Sequence, residues 1–264
     1  VSKIDTFYQI DLSNADLVRY IIDRHVPDVV VHLASQAIVN KDTKVTLASN
    51  YLSTLNLLEA CRPYGDRIKL IVSTSDKVYG ENRKAKESDS WPVSQEPYQL
   101  TKISVEYLCS YFRQFIPNLV VVRFCNIYGP GDLHWNRLIP GLNRDCLLRR
   151  SRNLRSDGSP IREWVYIYDV VSALKMLIGN QNKQMEYNIS SEDKRTVREV
   201  ANDIVRFWNL DPAKMLQFAS ESPSNEINQQ GLDSSRFRSE FGWSPKTSWK
   251  DGLTATALFY QSIL

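Results

Sequence analysis

The sequence predicts an α/β fold: a doubly wound parallel sheet with helices on both faces, followed by a smaller C-terminal α/β lobe. Two observations carry that expectation. Strand-like apolar runs alternate with helical stripes from residue 6 onward, which is the rhythm of βαβ units. The runs are also nearly continuous in β-branched residues, so both of their faces must be buried and helices must lie above and below the sheet.

The elements follow in order. Thr6-Phe7-Tyr8-Gln9-Ile10 reads as a strand, residues 15–25 as a helix with Leu17, Tyr20, Ile21 and Ile22 on a helical period, and Asp28-Val29-Val30-Val31-His32-Leu33 as the next strand. A helix over 45–61 leads to Ile68-Lys69-Leu70-Ile71-Val72-Ser73, and a helix over 96–115 leads to Leu119-Val120-Val121-Val122-Arg123-Phe124. Beyond Asn126 the texture changes to loops with Gly, Pro, Trp and Asp and to shorter helices near 137–149, 169–178, 197–208 and 249–262. Asp169 reads as a helix N-cap, as does Thr196 with Glu199 three residues later. The chain is therefore expected to divide into 1–125 and 126–264, with some segments of the second part returning to the sheet.

The balance of 33 Lys+Arg against 30 Asp+Glu, 42% hydrophobic and 24% charged, is that of an ordinary globular domain and excludes a disordered tail, a collagen or a mucin. No apolar run approaches the roughly 18 residues of a membrane span, and the N-terminus lacks a charged-then-apolar leader pattern, so a cytoplasmic protein without a membrane partner is expected. A net charge of +3 without a basic block does not fit a nucleic-acid partner. Cys61, Cys109, Cys125 and Cys146 form no CxxC pair, and the three histidines are scattered, so reduced thiols and no metal are expected. His32 reads as a packed strand residue, and Trp208, Phe241 and Trp243 as core. Only 10 glycines occur, and no three of them fall within six residues.

The residues that carry chemistry begin with Tyr98-Gln99-Leu100-Thr101-Lys102, a YxxxK pair on one helix face. The strand before this helix ends in Ser73-Thr74-Ser75-Asp76-Lys77-Val78-Tyr79-Gly80, a polar cluster at a C-terminal strand end, where ligands bind in α/β sheets. A phenol with a pKa near 10 serves as a base at neutral pH only when a cation and a hydroxyl stabilise the phenolate. Lys102 and Ser75 are residues of that kind.

Through these and further motifs, the chain resembles the extended short-chain dehydrogenase/reductases that act on nucleotide sugars. The resemblance runs through His32-Leu33-Ala34-Ser35-Gln36, Asn50 with Leu55-Asn56-Leu57-Leu58-Glu59-Ala60, the Ser75 cluster, and Tyr98 with Lys102. It continues through Arg123-Phe124-Cys125-Asn126-Ile127-Tyr128-Gly129-Pro130-Gly131, Arg137-Leu138-Ile139-Pro140, Arg155 to Tyr166, and Leu232-Asp233 through Phe241-Gly242-Trp243-Ser244-Pro245. It implies a Rossmann-like sheet, NAD as cofactor, a nucleotide-sugar substrate bound by the C-terminal lobe, and a homodimer built on the 45–61 and Tyr98 helices, with Tyr107, Leu108 and Tyr111 suited to the interface or to the core.

Within that family, Asp-Lys after the catalytic hydroxyl is similar to the CDP-glucose 4,6-dehydratases. The activity so implied is an NAD-dependent NDP-hexose 4,6-dehydratase, a lyase of nucleotide-sugar and polysaccharide biosynthesis, with the CDP-glucose type favoured. An NDP-sugar epimerase and a non-catalytic nucleotide-sugar-binding relative are the alternatives. The implied catalytic residues are Ser75, Asp76, Lys77, Tyr98 and Lys102. Tyr98 takes the C4 hydroxyl proton and Asp76 protonates the departing C6 hydroxyl. Lys77 either helps remove the C5 proton or stabilises the enolate. The implied cofactor residues are Asp11, Leu12, Leu33, Ala34 and Gln36 together with Tyr98 and Lys102; Asp11 fits a helix-initiating turn equally well. Asn126, Asn136, Arg137, Leu138 and Arg162 are the implied substrate contacts, with Arg162 facing the pyrophosphate and Asn126 alternatively a loop cap. In register with the family, Val1 falls after the second strand, so the first strand, the glycine-rich loop and the second strand are expected to be missing from this sequence, as in a fragment, a record lacking that segment or a shortened relative.

Overall fold

The computed structural model describes residues 6–36, 42–94, 96–224 and 226–264. Its elements in chain order are α1 (Ala15–His25), β1 (Val29–His32), α2 (Thr43–Leu47), a π-helical turn (Ala48–Leu52), α3 (Ser53–Cys61), β2 (Lys69–Ser75), a 3₁₀ turn (Asp76–Tyr79) and β3 (Asn82–Ala85). Then come α4 (Pro97–Phe112), β4 (Leu119–Phe124), β5 (Asn126–Tyr128), α5 (Leu138–Leu147), β6 (Arg152–Leu154), β7 (Ile161–Tyr166), α6 (Ile167–Gly179) and β8 (Glu186–Ile189). The chain closes with β9 (Lys194–Thr196), α7 (Val197–Phe207), α8 (Pro212–Met215), β10 (Leu216–Phe218), β11 (Gln230–Leu232), α9 (Ser235–Phe241) and α10 (Trp249–Ile263).

The principal sheet has the order β1-β2-β4-β8, with β1 and β2 parallel from Val29 opposite Lys69 to His32 opposite Val72. Every residue of β4 is buried, as its unbroken apolar run predicts. The segment at 6–10, expected as a strand, is irregular and has Phe7 77% exposed; no described strand lies beside it to take its backbone hydrogen bonds. By contrast, α1 matches its expected bounds. Asn14 caps its start by accepting from the Leu17 amide, and Val26 in the left-handed region ends it just before Pro27.

The chain forms two compact units. The first comprises residues 1–74, 91–122 and 184–186, and the second 75–90, 123–183 and 187–264. Residues 184–186 return to the first unit, and the segment 75–90 belongs to the second. It does so because β3 pairs in parallel with β11, and because Tyr79 accepts from Arg123 at 2.6 Å and donates to Asn188 at 3.0 Å, all three side chains being buried. The core of the first unit is the cluster of Leu58, Leu70, Val72, Val105, Phe112, Leu119 and Val121 with α1 residues Val18 and Ile22. Each such side chain contributes about 1.5–3 kcal/mol by leaving water. The second unit is centred on Leu142, Val200, Ile204, Val205 and Leu253, with Trp208 packed against their edge; Trp243 is buried elsewhere in this unit, while Phe241 is only half-buried.

Thr196 caps α7 through the reciprocal bond with Glu199 that the sequence suggests. Asp169 does not cap α6, which starts at Ile167 with Tyr166 in the N-cap position. Its carboxylate lies in the first turn and accepts instead from the Lys246 and Thr247 amides. All four cysteines are buried free thiols, and burial pushes the Cys61 thiol up to about 12. Among the described residues no helix is long and apolar enough to cross a membrane, and no cluster of three metal-ligating side chains occurs.

Candidate active site

In the first unit the site is built on α4. Glu96 caps it by accepting from the Gln99 amide, and Pro97 occupies the first helical position, where its missing N–H costs nothing. The helix thus starts one residue before Tyr98, and the i,i+4 spacing puts Lys102 one turn further on, its ammonium 5.7 Å from the centre of the Tyr98 ring. Lys102 is 3% exposed and donates to the Ser73 carbonyl at 3.3 Å. Burial pushes its pKa down to about 8, and Glu106 and Cys109 on the same helix offset part of that effect. Glu106 is itself buried and accepts from Thr74 Oγ1 at 2.6 Å, tying the end of β2 to α4.

The loop after β1 carries three of the expected cofactor residues. Leu33 and Ala34 are exposed and Gln36 is half-buried. Gln36 is clasped by Asn50, whose Oδ1 accepts from the Gln36 amide at 2.6 Å while its Nδ2 donates to the Gln36 carbonyl at 3.1 Å and to Thr101 Oγ1 at 2.9 Å. Thr101 in turn donates to the Tyr98 carbonyl at 2.8 Å. One buried amide therefore joins the loop to the helix that carries the YxxxK pair. Asn50 sits in the π turn, whose extra residue turns its side chain out of the helical repeat. It belongs to the motifs that carry the family resemblance, yet nothing in the sequence announced this role. His32 is buried against Thr54 at 3.0 Å; burial, aided by the Lys102 charge, brings its pKa down to about 4, so it is a neutral packed residue as expected.

The other two expected cofactor residues serve the start of α1. Asp11 is exposed and accepts from the Ser13 amide at 2.8 Å, closing the turn into the helix, while the Leu12 carbonyl accepts from Asn56 at 3.0 Å. For the nicotinamide end of the cofactor the donor set is suitable. Lys102 has three N–H donors and spends one on Ser73, which leaves two for a ribose hydroxyl and a phenolate.

In the second unit, Ser75 is the last residue of β2 and caps the 3₁₀ turn that follows it. Its hydroxyl donates to Asp76 Oδ1 at 2.9 Å. Asp76 is 4% exposed and its Oδ2 has no hydrogen-bond partner among the described residues, an unusual state for a buried carboxyl oxygen. Lys77, half-buried, donates from Nζ to the side-chain carbonyl of Gln230 on β11.

Electrostatically, Asp76 acts on Arg162 and Glu163 at the start of β7. Arg162 is buried and pairs with Glu226, which also holds Arg155 at 3.2 Å, so the guanidinium expected to face a pyrophosphate is here neutralised from within the chain. Glu163 is fully buried. Burial pushes its pKa up to about 7 despite the Leu232 amide and Ser190 hydroxyl that donate to it at 2.8 and 3.0 Å.

The remaining expected substrate residues are placed separately. Asn126, the first residue of β5, donates to the Glu163 carbonyl of the neighbouring strand β7 at 3.1 Å. Arg137 precedes α5 and pairs with Asp132 at 2.9 Å, Asn136 is exposed in the turn before it, and Leu138 begins the helix and packs on the second core.

Over 262 residues the chain is 29% identical to a trifunctional UDP-glucose 4,6-dehydratase/UDP-4-keto-6-deoxy-D-glucose 3,5-epimerase/UDP-4-keto-L-rhamnose-reductase of Arabidopsis thaliana; the match takes in 96% of this chain but only 39% of that protein. It is 27% identical over 260 residues to a dTDP-glucose 4,6-dehydratase of Mycobacterium tuberculosis, covering 95% of this chain and 76% of the relative. Its fold superposes with a TM-score of 0.89 on the UDP-glucose 4-epimerase of Thermus thermophilus in complex with NAD, at 26% identity, over 100% of this chain and 87% of that one. The expected α/β fold is the fold of these structures. Neither curated relative carries CDP in its name; they act on UDP- and dTDP-sugars. The model of the NAD dependent epimerase/dehydratase family matches residues 1–190, and the chain belongs to that family.

Proposed function

We propose that the chain carries the catalytic residues of an NAD-dependent NDP-hexose 4,6-dehydratase. The observation that supports this most directly is Asp76, a buried carboxyl with one oxygen fixed by Ser75 and the other unpartnered. An epimerase that works at C4 has no use for such an acid. A dehydratase needs one, because the C6 hydroxide leaves only if it is protonated as it goes. NAD, when bound, accepts hydrogen from C4 and returns it at C6.

Each protein residue then has a defined task. Tyr98, with Lys102 beside it to stabilise the phenolate, takes the C4 hydroxyl proton. The 4-keto group acidifies C5–H; Lys77, as the free amine, accepts that proton, the electrons form the C5–C6 double bond, the C6–O bond breaks, and Asp76 gives its proton to the departing oxygen to release water. Ser75 orients Asp76 through the 2.9 Å bond. Lys102 and the clasped 33–36 loop are the residues suited to the cofactor, and Arg137, Arg162, Asn126, Asn136 and Leu138 remain the proposed substrate contacts. The proposed homodimer uses Tyr107 and Tyr111 of α4, which are 65% and 57% exposed, whereas Leu108 packs into the core.

The test is incubation with NAD and CDP-, dTDP-, GDP- and UDP-hexoses in deuterated buffer, followed by proton NMR. A 6-deoxy methyl signal with deuterium at C5 supports the proposal and names the base; a C4-inverted sugar without that signal overturns it in favour of an epimerase. In D76N the methyl signal is expected to fall at least 100-fold while reduced cofactor still accumulates.

A further inference from the structure

We propose that Gln230 is the positioning residue for Lys77, the member of the proposed elimination machinery with the most conformational freedom. The inference rests on the dehydratase reading for its consequence, but the contact itself stands apart from it. A lysine stem has four rotatable bonds and keeps its ammonium in water unless something holds it. Lys77 is half-buried, and its Nζ donates to Gln230 Oε1. Lys77 donates to the amide oxygen in this contact, which a free amine can do while keeping its lone pair for the C5 proton, and the amide nitrogen is left facing the Gly80 carbonyl, 3.5 Å away. Gln230 is 2% exposed and lies in β11, opposite Asn82 of β3, so its backbone is fixed by the strand pairing.

The next residue shows that the placement is built. A Cβ on Gly231 would stand 2.5 Å from the Arg83 carbonyl and 2.6 Å from the Lys194 side chain, so only glycine lets β11 approach β3 this closely. Gln230 is therefore held by the close pairing of β11 with β3, whose register shifts between Gln230 and Leu232, and through it Lys77 is held beside Asp76. No spacing in the sequence links residues 77 and 230, which are 153 positions apart. Fixing a reacting amine within a few tenths of an ångström is the kind of positioning that separates a productive base from a solvated one.

The test compares Q230M, which keeps the length and removes the acceptor, with Q230E, which keeps an oxygen in place but adds a charge. In single-turnover reactions Q230M is expected to lower deuterium exchange at C5 about 10- to 100-fold, leaving the hexose KM and the reduced-cofactor signal within twofold of wild type. Q230E is expected to recover exchange only at higher pH, because a carboxylate beside Lys77 keeps it protonated. The charged groups of the elements around this turn, Glu81, Arg83, Lys84 and Asp76, are the same in both variants. Equal loss of C4 oxidation and C5 exchange in Q230M, or no loss in either, would overturn the assignment. A second readout needs no substrate: peptide mapping after brief acetylation should show Lys77 modified at least threefold faster in Q230M, and an unchanged rate also overturns it. If wild-type protein converts no hexose yet Lys77 is released in Q230M, the dehydratase reading fails while the Gln230–Lys77 tie holds.

Discussion

Replacing Lys102 by methionine should stabilise the protein while disabling it. The ammonium is 3% exposed, and its pKa is brought from 10.5 to about 8. Each pKa unit corresponds to about 1.4 kcal/mol, so holding the proton on this buried group costs the folded state roughly 3 kcal/mol at neutral pH. Methionine is one atom shorter, is at home in a core and carries no charge; it forfeits the bond to the Ser73 carbonyl, about 1 kcal/mol. The attraction of Glu106 is already contained in the shifted pKa, so the net gain is about 2 kcal/mol, a rise of roughly 4–8 °C in Tm for a chain of this size. The sign with pH follows from linkage. A lysine with a depressed folded pKa penalises the fold fully below pH 8, and the penalty fades as pH rises from 8 to 10.5. Urea titrations of both proteins at pH 7, 8.5 and 10 check this: the advantage of K102M should shrink steadily upward. A variant less stable than wild type at pH 7, or an advantage independent of pH, would refute the reasoning.

Three further outcomes are expected. Glu163, raised from 4.5 to about 7, binds its proton more tightly folded than unfolded, so wild-type stability should fall by about 3 kcal/mol between pH 4.5 and 7; E163Q should lack that slope in denaturant melts over the same range. N50L, which removes all three bonds of the Asn50 amide, should cost about 2 kcal/mol and weaken NAD about tenfold by calorimetric titration, with the affinity for the nucleotide sugar unchanged. Y107E, at an exposed position of α4, should convert the proposed dimer to monomer in sedimentation velocity and cost about 0.5–1.5 kcal/mol of thermal stability through the lost edge contact with Trp91.

What the sequence made legible was local. The stripe of α1, the apolar run of β4 and the Thr196–Glu199 box each state their structure within a dozen residues, and each formed where expected. The segment at 6–10 has the same apolar character but needs a neighbouring strand, which its own residues cannot supply. Asp169 looked like a cap because caps are local, whereas its actual partners lie 77 and 78 residues away. The site divides in the same manner. Tyr98, Lys102, Ser75 and Asp76 are legible as spacing on one helix and one strand end. Glu106 stands on α4 itself, one turn beyond Lys102, but the other groups that orient or neutralise the site arrive from elsewhere in the chain: Asn50 from the π turn, Gln230 from β11 to hold Lys77, and Glu226 to pair with Arg162.

The π turn at Ala48–Leu52 has a consequence for how this segment can vary. An α-helix advances about 100° per residue, so a turn that accommodates one extra residue is a change of phase between the helix before it and the helix after it. The side that α2 shows and the side that α3 buries through Leu57, Leu58 and Cys61 are therefore in register only because that residue is present. Losing any one of residues 48, 49, 51 and 52 would shift the phase between α2 and α3 by about a quarter turn, so that Asn50 could not keep its bonds to Gln36 while α3 keeps its buried side. In this stretch, length is as much a part of the specification as composition.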